Sequence, residues 1–261
     1  MRSEKIRDSA DPVRILHLTD PHLFADRHGS LRGAVTYDTL QSAIAHYLDN
    51  DFAADFVALT GDIVQDDSAE AYAHCHELVG SLALPVLCVP GNHDERNVMR
   101  DRLPEPPFAY CNSVEYGNWL ITGIDSCSAG RAGGRIAERE LRRMEEAIAA
   151  SNAGHVMICL HHPPVPMHSR WLDSVGLDNG DEFLTRAVSA GRVRIAIFGH
   201  VHQHYDAMHE GIRLVATPST CRQFLPRADE FAVDDRPPAY RRIELLPDGS
   251  INAELVWVDS G

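Results

Sequence analysis

Five short polar motifs, each closing an apolar run that reads as a buried strand, constrain this chain more than any other feature. They are Asp20-Pro21-His22, Gly61-Asp62, Gly91-Asn92-His93, His161-His162 and Gly199-His200-Val201-His202. The runs before them span 13–19, 56–60, 86–90, 156–160 and 193–198. Short, continuous apolar runs suit strands covered on both faces. Helical spacing lies between them. Residues 36–48 bring Leu40, Ile44, Tyr47 and Leu48 onto one face, and Ser68 predicts an N-cap for a helix reaching about Leu82. Further helices are expected over 138–150 and 181–190, and another strand over 119–125. Alternation of strand and helix predicts an α/β fold with helices outside the sheets. Sites in such folds form beyond the carboxyl ends of the strands, so the five motifs should converge on one edge.

After residue 202 the pattern changes to strands over 213–216, 240–246 and 251–258, with Pro247-Asp248-Gly249 as a hairpin turn. Three prolines in 103–108 predict a loop, as do the Gly-rich basic stretch 131–135 and the charged stretch 229–238. No repeat, low-complexity tract or long linker interrupts the chain. The expectation is one domain over 1–261, with a motif-bearing core over 13–202 and mainly strands over 203–261.

Composition narrows the partners. A net charge of −14 over 261 residues argues against a nucleic-acid or membrane-surface partner, either of which would call for a basic patch. Residues 1–11 are charged and carry no apolar core of a signal peptide, and no apolar run is long enough to span a membrane. The six cysteines form no CxxC pair and sit mostly in apolar runs, so they read as reduced packing residues of a cytoplasmic protein. Cys221 stands apart because it lies near the expected pocket.

The chemistry is in the donor count. The motifs supply two carboxylates, one amide and at least four imidazoles. A single zinc site takes three or four ligands. Seven donors point to two metal ions, and binuclear centres usually hydrolyse phosphate esters. Two divalent cations would bring four positive charges against the two negative charges of Asp20 and Asp62, so an acidic chain can still bind an anionic substrate. The set contains no thiolate. Imidazole, carboxylate and amide suit Mn, Fe, Co or Zn. Asp62 could bridge two ions with its two oxygens, and the Asn92 amide oxygen is an unusual ligand whose neighbour, His93, suggests an acid held beside the metal.

The order D-x-H, G-D, G-N-H-D, H-H-P-P, G-H-x-H resembles the calcineurin-like metallophosphoesterase superfamily from about Ile15 to His202. Trp171-Leu172-Asp173, Gly176-Leu177-Asp178-Asn179 and Thr217-Pro218-Ser219-Thr220-Cys221-Arg222-Gln223-Phe224 look like segments of the bacterial class III 3′,5′-cyclic AMP phosphodiesterases. The resemblance implies a four-layer α-β-β-α sandwich, with the strands after 202 completing the second sheet. It implies a first metal on Asp20, His22, Asp62 and His202, and a second on Asp62, Asn92, His161 and His200, most readily an Fe/Mn-type pair. Either His161 or its neighbour His162 could be the ligand; in related motifs it is the first of the pair.

Asp62, Asn92 and His93 make the catalytic group in this reading, with His93 as general acid toward the ribose 3′-oxygen. His93, His161, Arg131, Arg135, Trp171, Asp173 and Asn179 are the candidates for contact with substrate. Some members of the subgroup carry a His near the 131–135 loop; here Arg131 or Arg135 would meet the phosphate or nucleotide instead. His17, His155 and His204 are candidates for supporting the ligands. The substrate expected is a small phosphodiester, cyclic AMP foremost, and the sequence leaves room for a homo-oligomer. A glycerophosphodiesterase or 2′,3′-cyclic nucleotide phosphodiesterase would share every metal ligand. A non-catalytic scaffold would be expected to have lost ligands or the acid, and here all are present.

Overall fold

The computed structural model describes residues 11–258. Residues 1–10, on which the expectation about a leader chiefly rests, lie outside the described residues, as do 259–261. In chain order the elements are β1 (Val13–Leu18), β2 (Ser30–Leu31), β3 (Ala34–Val35), α1 (Thr36–Leu48), β4 (Phe56–Thr60), α2 (Ala69–Gly80), β5 (Val86–Val89), α3 (Arg96–Arg102), β6 (Phe108–Tyr110), β7 (Ser113–Tyr116), β8 (Trp119–Gly123) and α4 (Glu138–Ala150). They continue with β9 (His155–Cys159), α5 (Arg170–Asp173), α6 (Gly180–Ser189), β10 (Val193–Phe198), β11 (Tyr205–His209), β12 (Ile212–Ala216), β13 (Gln223–Phe224), β14 (Val233–Asp234), β15 (Ala239–Leu245) and β16 (Ile251–Trp257).

Two six-stranded sheets result, ordered β16-β15-β1-β4-β5-β6 and β11-β12-β10-β9-β8-β7. The side chains of each strand divide between two layers, as a period of two requires. Leu16, Leu18, Val57 and Leu59 face α1 and α2, while Val13, Ile15, Phe56 and Ala58 face the other sheet. In the second sheet Val156, Ile158, Ala196 and Phe198 face α4 and α6, while Met157, Cys159, Ile195 and Ile197 meet the first sheet. Three apolar layers between four structural layers make the α-β-β-α sandwich expected from the motif order.

Strands β1, β4, β5 and β6 are parallel, as are β8, β9, β10 and β12. Their carboxyl ends therefore share an edge in each sheet. The last strands correct one expectation. Only β11 and β12 join the second sheet, whereas β15 pairs antiparallel with β1 and β16 with β15. Leu246 N donates to Ser250 O across the predicted Pro247–Asp248–Gly249 turn, and the Asp248 carboxylate accepts from the Ser250 N–H and hydroxyl. This turn reverses the chain onto the exposed edge of the first sheet.

Helix α2 starts as predicted: the Ser68 hydroxyl accepts from Ala71 N. Helix α3 follows the third motif unannounced. Of its seven residues only Met99 is buried, so it has almost no apolar face to show in the sequence. No helix among the described residues is long and apolar enough to cross a membrane. All six cysteines are free, Cys127 being half-buried and the rest buried, and burial raises every thiol above its ordinary range.

Candidate metal centre

The five motifs meet at the carboxyl edge, and the backbone makes the meeting possible in an unusual way. Asp20, His22, Asp62, His200 and His202 all have positive φ, between 47° and 68°. This left-handed region is sparsely used by residues with a Cβ, and such strain gathers at functional sites. Neighbouring loops lock it in place. Asp20 N donates to Gly61 O and His22 N to Asp62 O, each at 3.0 Å. Two glycines are dictated by crowding. A Cβ on Gly91 would lie 2.1 Å from Asp62 N and Oδ1, and one on Gly199 would lie 2.0 Å from Thr19 Oγ1.

Two groups of donor atoms form. In the first, His22 Nε2 lies 3.0 Å from His202 Nε2 and 3.7 Å from Asp62 Oδ2, and His202 Nε2 lies 3.4 Å from Asp20 Oδ1. In the second, Asn92 Oδ1 lies 2.9 Å from His200 Nδ1 and 3.2 Å from His161 Nε2, which is 3.4 Å from Asp62 Oδ1. Asp62 presents one oxygen to each group. Ligands bound at about 2.1 Å to one ion, at tetrahedral or octahedral angles, sit about 3.0–3.4 Å apart. Most of these separations match that range.

The ring tautomers agree with cation binding. His202 Nδ1–H donates to Arg222 O at 2.6 Å and His161 Nδ1–H to Thr60 O at 2.8 Å, which leaves both Nε2 lone pairs facing inward. Nitrogen and oxygen donor atoms thus converge in the arrangement that a metal cation would satisfy. His22 Nδ1 and His200 Nε2 are buried without a protein partner. The residues fit two metal ions.

Electrostatics follow the same lines. Burial opposes ionisation of Asp62, but His161, His22 and His93 hold its carboxyl well below the usual carboxylate range. Burial likewise opposes ionisation of Asp20, and His202 outweighs it. Burial opposes a charge on His161, yet Asp62 lifts it to about 9. Three imidazoles, His22, His162 and His200, are held neutral. Burial lowers His22 to about 4, and burial with His162 and His161 lowers His200 well below the ordinary value. His162 is lowered to about 3 by burial and then by His161. Both its ring nitrogens are engaged, Nδ1 with Ser126 Oγ at 2.9 Å and Nε2 with Ala132 O at 3.1 Å, so it stands behind the donors and His161 among them.

His93 lies at the rim, half-buried. Its backbone N–H donates to Asp62 Oδ1 at 2.9 Å, and Gln65 Nε2 sits 3.2 Å from its Nδ1. The Gln65 amide can face Nδ1 by either end: its nitrogen suits a neutral ring protonated at Nε2, its oxygen an imidazolium protonated at both nitrogens. Next to it, Asp94 accepts from Gly91 N at 2.8 Å, Ile63 N at 3.1 Å and Tyr72 Oη at 2.9 Å, tying the Gly61 and Gly91 loops together.

The outer candidates are placed elsewhere. The Asn179 side chain bonds both the N–H and the carbonyl of Ile136, each at 3.0 Å, pinning the start of α4. Asp173, at the end of α5, accepts from Met167 N at 2.6 Å and ties that helix to the loop before it. Arg131 pairs with Asp178 at 2.9 Å on the surface, and Arg135 is exposed. Trp171 packs against Phe224 and Phe231 rather than against the donor groups. His155 begins β9 and so sits at the opposite edge of the sheet, against Trp119.

One assembly joins residues that the sequence reading named separately, Asp20, His17, His204 and Thr217, to others that it missed, Arg241 foremost. Arg241, 1% exposed, donates from Nε to Thr217 Oγ1 at 3.2 Å, and its Nη2 meets His204 Nδ1 at 2.9 Å. Because arginine can only donate, the Thr217 hydroxyl turns its proton to His17 Nδ1 at 2.7 Å. His17 Nε2–H then donates to Thr60 Oγ1 at 2.8 Å, Thr60 to Thr19 at 2.8 Å and Thr19 to Asp20 Oδ2 at 2.6 Å. Every bond runs one way, from a buried cation to the Asp20 carboxylate, and chains of this kind polarise in concert.

The sandwich and its His/Asp edge define a metal-dependent phosphoesterase, a hydrolase. The family model for calcineurin-like phosphoesterases matches residues 13–204, and the chain belongs to that family. It is 36% identical over 244 residues to the 3′,5′-cyclic adenosine monophosphate phosphodiesterase CpdA of Escherichia coli (strain K12), covering 93% of this chain and 89% of that one. It is 34% identical over 254 residues to CpdA of Vibrio vulnificus (strain CMCP6), covering 97% and 93%. Among solved structures, a dimetal phosphatase from Danio rerio superposes with a TM-score of 0.66 at 14% identity, over 95% of this chain and all of that one. Purple acid phosphatase PPD1 of yellow lupin superposes with a TM-score of 0.64 at 15% identity, over 97% of this chain and 52% of that one. These two likenesses establish the fold.

Proposed function

We propose that this protein hydrolyses 3′,5′-cyclic AMP to 5′-AMP with two metal ions. The observation that carries the reading is the pair of donor groups sharing Asp62, in a chain 32–36% identical over nearly its whole length to proteins named as 3′,5′-cyclic AMP phosphodiesterases. Asp20, His22, Asp62 and His202 would hold one ion; Asp62, Asn92, His161 and His200 would hold the other. Mn, Fe, Co and Zn all suit this set. Bound there, two such ions supply positive charge to the phosphoryl oxygens and acidify water to a nucleophile near neutral pH. The chain's own residues do the rest. Arg222 O and Thr60 O fix the His202 and His161 tautomers, and the Arg241–Asp20 chain fixes the Asp20 carboxylate. As the imidazolium, His93 gives its Nε2 proton to the ribose 3′-oxygen as the phosphorus–oxygen bond breaks and is left a neutral imidazole, so that a poor alkoxide leaves as an alcohol.

Loading should be linked to protons. His161 without metal keeps its proton up to about pH 9, so an ion entering beside it displaces that proton. The sign follows: as pH falls below about 9 the proton competes and apparent affinity weakens, by about tenfold per unit for one proton. Calorimetric Mn titrations in buffers of different ionisation enthalpy should report about one proton released from this histidine at pH 7–8. Uptake without proton release would remove His161 from the ligand set.

The substrate is tested by a Mn-supplemented panel of 3′,5′-cyclic AMP, 3′,5′-cyclic GMP, 2′,3′-cyclic AMP, glycerophosphodiesters and a phosphomonoester. The reading expects 3′,5′-cyclic AMP to have the highest kcat/KM. Absence of its turnover at micromolar concentrations would overturn it.

A further inference from the structure

A narrow cleft of about 180 Å³ opens at His22 and His93. One wall is the tip of the β2–β3 hairpin, Leu31 and Arg32; the other is Phe224 and Phe231, with Gln65 at its base. The second wall is built with care. Phe224 lies flat on His202, with centroids 4.0 Å apart and planes 8° apart, and its N–H donates to His202 O at 3.1 Å. Phe231 meets Phe224 edge to face at 5.1 Å, and Trp171 braces both from behind at 5.5 and 5.2 Å. The geometry of the metal edge and of this aromatic wall is therefore tied through one residue.

Phe231 is 40% exposed, and the Arg32 guanidinium hangs 4.8 Å over its ring. Leu31, Phe224 and Phe231 together leave a contiguous apolar surface part-open beside the polar donor edge, the combination that marks a binding cleft. The chemistry selects the guest. A flat π-system can take the place of the exposed Arg32 guanidinium on the Phe231 face, while a glycerol group has no face to offer and a choline cation would meet the guanidinium charge. Gln65 and Arg32 supply hydrogen-bonding groups for the edge of such a ring.

We infer that this cleft is the nucleobase subsite, in which Phe231, held by Trp171 and Phe224, stacks the base while the phosphate lies at the donor edge. The inference rests on the cyclic nucleotide reading above and assigns Phe231 as the residue that selects nucleotides over aliphatic phosphodiesters. Phe231 makes its ring contacts with Phe224 and Trp171, so Phe231→Ala should leave metal content unchanged and lower the melting temperature only by the few degrees that loss of an aromatic pair implies.

The test is binding of 5′-AMP and of ribose 5-phosphate to the metal-loaded protein by calorimetry. Wild type should bind 5′-AMP more tightly. Phe231→Ala should weaken 5′-AMP about 5- to 150-fold, the range one base stacked on one ring supplies, with ribose 5-phosphate unchanged. Phe231→Tyr should restore the difference. An unchanged ratio of the two affinities in Phe231→Ala, or equal weakening of both ligands, would overturn the subsite. Failure of cyclic AMP turnover in wild type with this ratio effect intact would instead overturn only the substrate reading.

Discussion

Asp62→Ala is expected to remove metal and activity together. Each Asp62 oxygen faces one donor group, 3.4 Å from His161 Nε2 and 3.7 Å from His22 Nε2. Removing the carboxylate takes a ligand from both groups and leaves Asp20 as the single carboxylate among four imidazole donors. Metal-assisted charge stabilisation is worth several kcal/mol, so hydrolysis should fall by at least about 10³-fold on any phosphodiester. Asp62→Asn keeps the shape and removes the charge, and should fall nearly as far. Metal analysis by mass spectrometry with steady-state kinetics checks this. Two ions per chain and near-normal turnover in Asp62→Ala would end the bridging assignment.

His93→Ala should behave differently, because in the proposed mechanism His93 acts on the leaving group and not on the metals. With 3′,5′-cyclic AMP the leaving alkoxide needs a proton, and general-acid catalysis contributes about 10²–10⁴-fold. With bis(4-nitrophenyl) phosphate the leaving phenolate needs none, and the loss should stay under about tenfold. Metal content should stay at two. Equal losses on both substrates would make His93 a phosphate-binding group instead of the acid.

Much of this was legible because the chain places each ligand motif where a buried strand stops. The 13–19, 56–60 and 193–198 runs are two-sided apolar strands, and Asp20, Asp62 and His200 follow them within two residues. Spacing alone left His161 and His162 open. Their backbones are adjacent, and what separates them is a third residue, Ser126, and the Ala132 carbonyl, which together occupy both nitrogens of His162. The positive φ values of five donor residues were also invisible, since nothing in Asp or His announces a left-handed backbone that tertiary contacts impose.

The substrate side was read least well. Trp171 was singled out from its motif, and it braces the cleft rather than lining it. Phe231 went unnoticed because it sits in the charged 229–238 stretch, where a lone aromatic looks incidental. Asn179 and Asp173 hold loops, a use of polar side chains that local sequence does not distinguish from ligand contact. The Arg241 chain joins residues more than 200 positions apart, so only the antiparallel docking of β15 on β1 brings them together. The signal that could have found it was His17, an imidazole in the middle of an apolar strand that must be paired by something buried.

The most direct test is anomalous diffraction at the manganese edge from crystals of the Mn-loaded protein. Two peaks are expected, one among Asp20, His22 and His202 and the other among Asn92, His161 and His200, with Asp62 between them. A single peak, or a second ion held by His162 in place of His161, would contradict the account.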